Sequence, residues 1–570
     1  MEHPEVDVAI IGAGLAGIAF ARFYLDTHPE CRLTIFEKDG CIGGVWNKAR
    51  VFDAFWVQSP LRMTSFSDVV LEVPKDAPKL YDTFEAKYVT QYLEDYVDSH
   101  VYNGRPLRSR VRLNAEVRNV EKLGNGWILQ VDGAVPQSLR CIKLAVASGL
   151  TSSPIIPSFP RSRDWKTPIL HHRDFGVHSK AILATSSAHK NITILGGGKS
   201  AADMVYASIK AGKNVNWIIR KTGEGPGIFM NPVATGRYKN NAEAGTTQNA
   251  TSLNPSGFGP MLEWAQMLHH SVSERENLES KLFAADRRYK AWANYRTREG
   301  ALPGFRELEP KASFFWNSGP IGMIQHDDFW DLVSQKVNVY RGDLSGTNSN
   351  SVILDDGREV LTDVLLCGTG WNASYPFFSS KQIFELGLPH EPGKDSEEER
   401  KSWNDLMDAA DRQILEQYPI LAKPPPECRP IGGASLTPAR LYQGIASLTD
   451  SSIVFLGRAR MSNNFRGAEA QAIWATAYWD KHVDIPPFEQ VQREVAYMNA
   501  FSRRRYPSRG VDGLNFHTDL IWYTDTLLCE AGLTSHRKGW WGDSDEPCLA
   551  SDFKDCKDEY MAKYGSTQAG

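Results

Sequence analysis

The sequence of 570 residues lacks several features that would each point to a class of protein. It has no excess of basic residues, since its formal net charge is −4, so its overall charge does not attract nucleic acid or an anionic membrane. It contains no apolar run of about 18 residues, the length that predicts a transmembrane helix. Its N-terminus, MEHPEVD, is acidic where a secretion signal is basic. We therefore expect no nucleic-acid partner, no transmembrane segment and a cytoplasmic location.

Cysteine is scarce as well. The eight cysteines form no C-x-x-C pair and no metal-ligand spacing. A disulfide reductase needs a redox-active cysteine pair beside its cofactor, and none is spaced for that role. The sequence therefore predicts a reduced protein without a metal centre.

The first feature that is present is a glycine motif near the N-terminus, Gly12-x-Gly14-x-x-Gly17, which follows an apolar run over 6–11 and precedes a helical pattern. In such a turn the first glycine allows a tight bend and the second lets the backbone approach a pyrophosphate. The third allows close packing of the helix. The segment predicts a Rossmann-like dinucleotide-binding unit.

A second motif of this kind begins at Gly196-x-Gly198, again directly after an apolar run. The neighbouring Lys199-Ser200 is similar to the end of an ATP-binding loop, but that loop requires glycine at the place of Thr193. A dinucleotide is therefore the better candidate ligand. We expect Lys199 and Ser200 to begin the helix and to contact the phosphates of the cofactor.

The two units carry opposite charges at equivalent places. The strand after the first motif ends in Glu37, 25 positions after Gly12, and the strand after the second ends in Arg220, 24 positions after Gly196. A carboxylate there accepts hydrogen bonds from free ribose hydroxyls, whereas a guanidinium holds a 2′-phosphate. The first unit therefore suits FAD or NAD and the second suits NADP, with Lys221 as an additional phosphate contact.

The last strand of each unit ends in small residues, in the runs 144–149 and 363–370. Turns of glycine, serine and threonine let the chain pass close to a bound dinucleotide. Ser148, in the first of these runs, is therefore a candidate cofactor contact.

The order of these features predicts an α/β fold with two Rossmann-like domains, one inserted in the other. We expect the first part of the outer domain over 1–160. The inserted domain is expected over 161–364, with an insert at 222–320 that is a substrate lid or a decoration. The chain is then expected to return to the outer domain, with a C-terminal extension, over 365–570.

Local patterns predict further elements. They are a helix at 88–98, a β-meander over 115–150, a buried strand at 453–456, a helix from about 468, and a charged, proline-rich excursion over 390–430. The aromatic residues of the insert and tail suit either a lipophilic ligand or a core.

A further segment, Glu37-Lys38-Asp39-Gly40-Cys41-Ile42-Gly43-Gly44-Val45-Trp46, resembles the class B flavin-dependent monooxygenases. In that family an acidic strand end precedes G-G-x-W, and the backbone there runs beside the flavin. The resemblance extends over about residues 6–480 and makes the outer domain the FAD domain and the inserted domain the NADPH domain. It implies FAD contacts at Lys38, Gly44, Val45 and Trp46.

The family fingerprint F-x-G-x-x-x-H-x-x-x-[YF] resembles Trp165-x-Thr167-x-x-x-His171-x-x-x-Phe175. The histidine and the last aromatic residue match, while Trp and Thr replace the first aromatic residue and the glycine. The resemblance implies that His171 supports NADP during catalysis. Baeyer-Villiger members usually have Trp where Phe175 stands, so the likeness favours the hydroxylating branch.

Flavin-containing monooxygenases also place an Asn two residues before a Pro, where it supports the oxygenated flavin. Here the register of Pro60 puts Gln58 at that place, and its amide is the same group on a longer stem. The resemblance thus implies that Gln58 and His171 are the catalytic residues.

The resemblance implies an enzyme that uses NADPH, FAD and O2, forms a C4a-hydroperoxyflavin, and oxygenates a nitrogen, a sulfur or an electron-rich carbon. Its substrate is expected to be a small lipophilic secondary metabolite. The alternatives are a Baeyer-Villiger enzyme acting on a ketone, an NADPH oxidase or reductase that inserts no oxygen, and a non-catalytic redox sensor.

Overall fold

A computed structural model describes residues 4–133, 137–234, 236–258, 283–284, 286–316, 321–428 and 436–565. The larger of its two main sheets confirms the expected α/β class with a parallel centre. In spatial order its strands are Leu441–Tyr442, Ala446–Ser447, Ile453–Phe455, Gln137–Val146, Glu5–Ile11, Leu33–Phe36 and Val111–Arg112, with the hairpin Glu116–Leu123 and Gly126–Asp132 beside Gln137–Val146. All four residues of Leu33–Phe36 are buried, because helices and loops cover both faces of the sheet.

A second sheet is entirely parallel, which explains the unbroken apolar runs of its central strands. Its order is Ile169–His171, Val364–Cys367, Asn191–Leu195, Asn214–Ile219 and Val337–Arg341. The other strands described are the pairs Val101–Tyr102 with Arg105–Pro106, Ser153–Pro154 with Trp371–Asn372 and Ile228–Met230 with Ile321–Met323, and the meander Leu344–Thr347, Ser351–Leu354 and Glu359–Leu361.

Helices cover both sheets and fill the C-terminal region. They are Leu15–Thr27, Lys87–Ser99, His172–Leu183, Lys199–Lys210, Asn241–Ala244, Gln248–Thr251, Phe329–Lys336, Ser380–Glu385, Glu397–Gln417, Asn464–Trp479, Phe488–Arg505, Leu520–Glu530, Gly539–Asp545 and Cys556–Tyr564. The structure confirms the helix predicted at 88–98, the meander at 115–150 and the strand at 453–456.

The helix predicted from about 468 begins earlier, at Asn464. The reason is local, because the side chain of Asn463 accepts a hydrogen bond from the Arg466 N–H and caps the first turn. This helix packs against Leu15–Thr27, next to the larger sheet.

The chain passes between the two sheets at two points that lie side by side. Ser153–Pro154, on the way out, pairs antiparallel with Trp371–Asn372, on the way back. The predicted boundaries, 160/161 and 364/365, fall a few residues inside this double crossing. The C-terminal ends of both parallel sheets therefore border one region.

The described part of the 222–320 insert is packed against its neighbours. Glu243, whose side chain is buried, accepts a hydrogen bond from Arg62, and the Asn240 side-chain amide donates to the Tyr81 carbonyl at 3.1 Å. Phe258 packs edge-to-face on Phe516, with ring centres 4.9 Å apart. These contacts attach the insert both to the loop that follows Trp46 and to the C-terminal region.

The aromatic tail belongs to the core. The side chains of Phe516, Trp522, Tyr523 and Tyr560 are buried in the same cluster as the larger sheet. The expected excursion over 390–430 is wrong for Glu397–Gln417, because this helix packs against Phe488–Arg505 around a small apolar cluster.

A buried ionic network holds the segment after the Gln58 loop against the helices. Glu469 accepts hydrogen bonds from the Ser67 N–H (2.9 Å), from the Ser67 hydroxyl (2.8 Å) and from Arg22. Asp68 accepts from the His100 Nε2 atom at 2.7 Å. Burial opposes the charge on Asp68, but the bond from His100 and the charge of Arg22 outweigh it and lower the pKa of Asp68 to about 2.

We predict a pH-dependent contribution to stability from His100. Burial disfavours its charged ring, but the hydrogen bond to Asp68, the bond to the Tyr96 carbonyl and the charge of Asp68 together outweigh burial, so the folded-state pKa of His100 is raised. Its stabilisation is complete below the unfolded-state pKa of about 6.5 and is lost as the pH rises through the folded-state value. Thermal unfolding at pH 6 and pH 9 should show a smaller pH-dependent loss in His100→Gln than in the unaltered protein. Replacement of the exposed His178 by Gln is the control and should leave the difference unchanged.

Candidate functional site

One cavity of about 320 Å³ lies at the C-terminal ends of the central strands of the larger sheet. Eight of the predicted cofactor contacts line it: Gly12, Gly14, Glu37, Lys38, Gly44, Val45, Trp46 and Ser148. The structure thus brings together residues that are more than a hundred positions apart in the sequence.

Two glycines make the close packing at this cavity possible. Gly12 has φ of +106°, and a Cβ atom there would lie 2.4 Å from the Ala147 carbonyl oxygen. A Cβ atom on Gly17 would lie 2.0 Å from the Gly12 carbonyl oxygen. Gly17 therefore does not line the cavity but lets the helix pack against the turn, as its place in the motif predicts.

The carboxylate of Glu37 accepts hydrogen bonds from the Ala13 N–H at 2.8 Å and from the Asp39 N–H at 2.9 Å. These bonds orient it, and each oxygen keeps a second lone pair for a ribose hydroxyl. Burial raises its pKa. The ammonium group of Lys38 donates to the carbonyl and hydroxyl oxygens of Ser152, so it is bound to the outgoing crossing of the chain.

A second cavity of about 760 Å³ lies at the C-terminal ends of the five-stranded sheet. The predicted residues that line it are His171, Gly196, Gly198, Lys199, Ser200 and Arg220. Gly196 has φ of +132°, and a Cβ atom there would lie 2.3 Å from the Gly368 carbonyl oxygen. No larger residue fits this turn without a shift of the backbone.

Arg220 differs from the other arginines of this cavity. Its guanidinium forms no ion pair or hydrogen bond with a described residue, and Gly223 leaves space beside it. Arg460 and Arg509, by contrast, are paired with Asp512 and Glu224. Arg220 is thus an uncompensated positive charge at the end of its strand.

Three predicted residues are engaged elsewhere. Lys221 is ion-paired with Asp355 at 2.8 Å and does not line the cavity. Lys199 lines the cavity, but its ammonium group is paired with Asp203, one turn further along the helix. The third residue is Gln58.

Gln58 lines neither of the two cavities. Its side-chain oxygen accepts a hydrogen bond from the Met323 N–H at 2.9 Å, which joins its loop to the strand Ile321–Met323. Gly322 makes this approach possible, since a Cβ atom there would lie 3.0 Å from that oxygen. In this structure Gln58 is a contact between its loop and the strand that directly follows the insert.

His171 is fixed by two backbone hydrogen bonds. Its Nδ1 atom accepts from the Arg173 N–H at 3.1 Å, so Nε2 carries the proton and donates to the Gly370 carbonyl at 3.0 Å. Burial lowers its pKa. The ring thus ties the start of a helix to the returning crossing of the chain, and its geometry is that of a positioning residue.

In the fingerprint segment, the Thr167 hydroxyl donates to the Thr362 carbonyl at 3.1 Å. The ring of Phe175 is buried and packs edge-to-face on Phe52, with ring centres 4.8 Å apart. The Thr that replaces the glycine of the family pattern is therefore accommodated by a hydrogen bond to the backbone, and the matching Phe175 packs on the loop that follows Trp46.

The two cavities adjoin, because Leu150, Thr151, Met461 and Asn464 line both of them. The wall of the second cavity also includes residues of the C-terminal region that the sequence did not suggest: Arg460, Tyr506, Arg509, Asn515 and His517. They carry no motif, and only the folded chain brings them to the site.

A second group missing from the prediction connects the two units. Arg50 donates to the Thr151 carbonyl at 2.9 Å and to Asp39 at 3.0 Å, and Arg173 donates to the same carboxylate at 2.9 Å. Beside this network, a Cβ atom on Gly176 would lie 2.5 Å from the Ala49 carbonyl oxygen. The first helix of the inserted unit thus rests directly on the loop after G-G-x-W.

These cavities fit two dinucleotides. The first offers glycine turns, the oriented carboxylate of Glu37 and the buried Ser148 hydroxyl, which has no partner among the described residues. The second offers a glycine turn and an unpaired guanidinium. An oriented carboxylate of the first kind is suited to ribose hydroxyls, and an unpaired guanidinium of the second kind is suited to a 2′-phosphate.

We predict that Gly176→Ala disturbs the packing of the helix His172–Leu183 on the loop that follows G-G-x-W, and thereby the alignment of the two dinucleotide-binding units. The added methyl group meets backbone atoms that cannot move independently, and overpacking of this kind costs about 1–3 kcal/mol. The variant should retain FAD, yet its flavin should be reduced by NADPH at least several-fold more slowly, as measured by stopped-flow absorbance. Gly393→Ala, where a Cβ atom meets nothing within 4 Å, is the control. An unchanged reduction rate would contradict the assigned contact.

Comparison with protein families matches residues 9–251 to pyridine nucleotide-disulphide oxidoreductases. The FAD-dependent monooxygenase resA of Aspergillus sclerotiorum is 30% identical, over 93% of this chain and 94% of its own length. An FAD-dependent monooxygenase of Pyrenophora dematioidea is 29% identical, over 93% of this chain and 98% of its own length.

Solved structures share the fold at low identity. Cyclohexanone monooxygenase from Rhodococcus sp. Phi1, bound to NADP+, has a TM-score of 0.57 at 15% identity and covers 92% of this chain and 97% of its own. S-allyl-L-cysteine S-oxygenase from Allium sativum has a TM-score of 0.52 at 15% identity, covering 100% and 99%. No helix among the described residues is long and apolar enough to span a bilayer.

Proposed function

Because this chain belongs to the FAD-dependent monooxygenases of the class B type and uses FAD and NADPH, we propose that it oxygenates a small lipophilic secondary metabolite. The observation that supports this best is the pair of adjoining cavities of opposite polarity, one built around Glu37 and the other around Arg220. Met461 and Asn464 line both cavities, and this shared border would let a reduced nicotinamide and a flavin meet.

We propose that the larger sheet, from 1–160 and 365–570, holds FAD. Glu37 would accept hydrogen bonds from the ribose of its adenosine half, and the Gly12 turn would face its pyrophosphate. Gly44, Val45 and Trp46 line the same cavity and would border the flavin. The unsatisfied hydroxyl of Ser148 is available as a further contact.

We propose that residues 161–364 hold NADPH. Arg220 is the group for the 2′-phosphate, because its charge is not neutralised by any described residue. The Gly196–Gly198 turn and the Lys199–Ser200 helix start would face the pyrophosphate, although Lys199 would first have to leave Asp203. Lys221 is the weakest member of the set, since Asp355 already holds it.

When bound, FAD would supply the activation of O2 and the transfer of one oxygen atom to a nitrogen, a sulfur or an electron-rich carbon. The protein must exclude water and fix the reacting groups. His171 would do so by holding the helix start to Gly370, and Gln58 by joining its loop to Met323. Both assignments are positioning roles.

Oxygen insertion into a ketone is the competing outcome. Phe175 at the place of the Baeyer-Villiger Trp favours transfer to a heteroatom or carbon, and the likeness to cyclohexanone monooxygenase concerns the fold only. No cysteine is among the described residues that line either cavity, so no cysteine pair beside the flavin supports the reductase alternative. A panel of amines, sulfides, phenols and ketones, with products identified by mass spectrometry, separates the outcomes.

The flavin reaction provides a test of the monooxygenase proposal itself. The purified protein is reduced with NADPH without air and mixed with O2 in a stopped-flow instrument. A flavin intermediate that persists for seconds or longer is expected. Immediate reoxidation with one equivalent of H2O2 and no intermediate would count against oxygen insertion.

We predict that Arg220→Gln raises the KM for NADPH by at least tenfold and changes the KM for NADH little. Loss of a charged hydrogen bond to phosphate removes about 1.5–3 kcal/mol, and NADH has no 2′-phosphate. The measurement is steady-state oxidation of each cofactor at fixed O2. Lys221→Gln is the matched control, because this neighbouring cation is paired with Asp355, and it should behave like the unaltered protein. An equal effect of Arg220→Gln on both cofactors would refute the assignment.

A further inference from the structure

His172, next to the fingerprint histidine, is the residue whose surroundings the proposed function leaves unexplained. It is the first residue of the helix His172–Leu183, and it lines the second cavity together with Lys199 and His171. Its ring meets the edges of Phe52 and Phe55, with ring centres 6.0 and 5.8 Å apart.

The imidazole of His172 makes no hydrogen bond with any residue that the structure describes. Its Nε2 atom is buried without a partner among the described residues, and no described residue bonds to Nδ1 either. The whole residue is only 5% exposed. A buried polar group of this kind normally has a partner, so an unpartnered one that borders a cavity points to a missing ligand.

The ring is neutral at physiological pH, because burial, reinforced by the charges of Arg50 and Lys199, lowers its pKa to about 3. A neutral imidazole has one donor and one acceptor nitrogen. The enclosed Nε2 is the better place for the bare nitrogen, since a buried N–H without an acceptor is the rarer state. That leaves the Nδ1–H group to donate into the cavity.

Strand order indicates which part of the dinucleotide lies near His172. Arg220, which directly follows the strand Asn214–Ile219, marks the side of the cavity assigned to the adenosine half. The turn that would face the pyrophosphate follows the neighbouring strand Asn191–Leu195. Ile169–His171, which leads into His172, lies two places away on the other side of that turn. A dinucleotide that crosses the sheet edge from Arg220 therefore has its nicotinamide half on the side of His172.

We propose that His172 is a binding residue for the nicotinamide half of NADPH, donating a hydrogen bond from Nδ1 to the carboxamide oxygen. The proposal rests on the assignment of the second cavity to NADPH. A neutral carboxamide suits this place, because a neutral ring between two phenylalanines compensates no charge. His171 cannot take the role, since both of its ring nitrogens are bonded to the backbone.

The test measures binding to the FAD-loaded protein by calorimetry with two probes. NADP+ contains both halves of the cofactor, and 2′,5′-ADP contains only the adenosine half. His172→Leu should weaken NADP+ binding about tenfold, which corresponds to about 1.4 kcal/mol, and leave 2′,5′-ADP binding within twofold, because only a hydrogen bond to the nicotinamide half is lost. Arg220→Gln should weaken both probes.

Two further variants identify which ring nitrogen of His172 donates the hydrogen bond. The side-chain amide nitrogen of Asn can occupy the place of Nδ1, and that of Gln the place of Nε2. His172→Asn should therefore recover most of the NADP+ affinity that His172→Leu loses, while His172→Gln should not. Retained FAD and an unchanged unfolding temperature show that the variants are folded.

Three outcomes would overturn the inference. They are unchanged NADP+ binding by His172→Leu, an equal loss for 2′,5′-ADP, and recovery by Gln but not by Asn. Failure of the unaltered protein to bind 2′,5′-ADP would instead overturn the NADPH assignment and this inference with it. The two failures are thereby distinguishable.

Discussion

The antiparallel pairing of Ser153–Pro154 with Trp371–Asn372 is the constraint on which the arrangement of the site depends. Each parallel sheet opens its cavity at the C-terminal ends of its strands, as parallel sheets do. One such cavity alone could bind one cofactor, but it would not place a second cofactor next to the first. Because the outgoing and returning chains are bonded to each other, both openings border the same space.

Side chains around the double crossing keep this arrangement rigid. Arg50 bonds to the outgoing segment at Thr151, and its guanidinium carbon lies 5.7 Å from the ring centre of Trp371. His171 bonds to the returning segment at Gly370. Hydride transfer needs the reacting atoms within a few ångströms of each other, so a small displacement at the double crossing is expected to lower the rate of transfer. Because both ring nitrogens of His171 are bonded to the backbone, its geometry supports the proposed positioning role rather than proton transfer.

Features encoded by neighbouring residues could be predicted from the sequence, and contacts between distant segments could not. Glycine spacing and the charge at a strand end are local, so the two turns, Glu37 and Arg220 were found directly. Gln58 and Lys199 occupy the expected segments, but their partners, Met323 and Asp203, decide what their side chains do. Met323 is 265 positions away from Gln58, and no periodicity or motif in the sequence predicts their contact.

The C-terminal wall of the second cavity shows why part of the site could not be predicted from the sequence. Along the extended segment Gly513 to His517, Leu514 and Phe516 face a separate apolar cavity, while Asn515 and His517 line the second cavity. This alternation is that of a strand with one face in a core. The apolar face fixes the segment in the core, and the alternation thereby places Asn515 and His517 at the cavity wall. A sequence pattern of five residues without a motif does not predict this placement, because it depends on the distant partners that cover the apolar face.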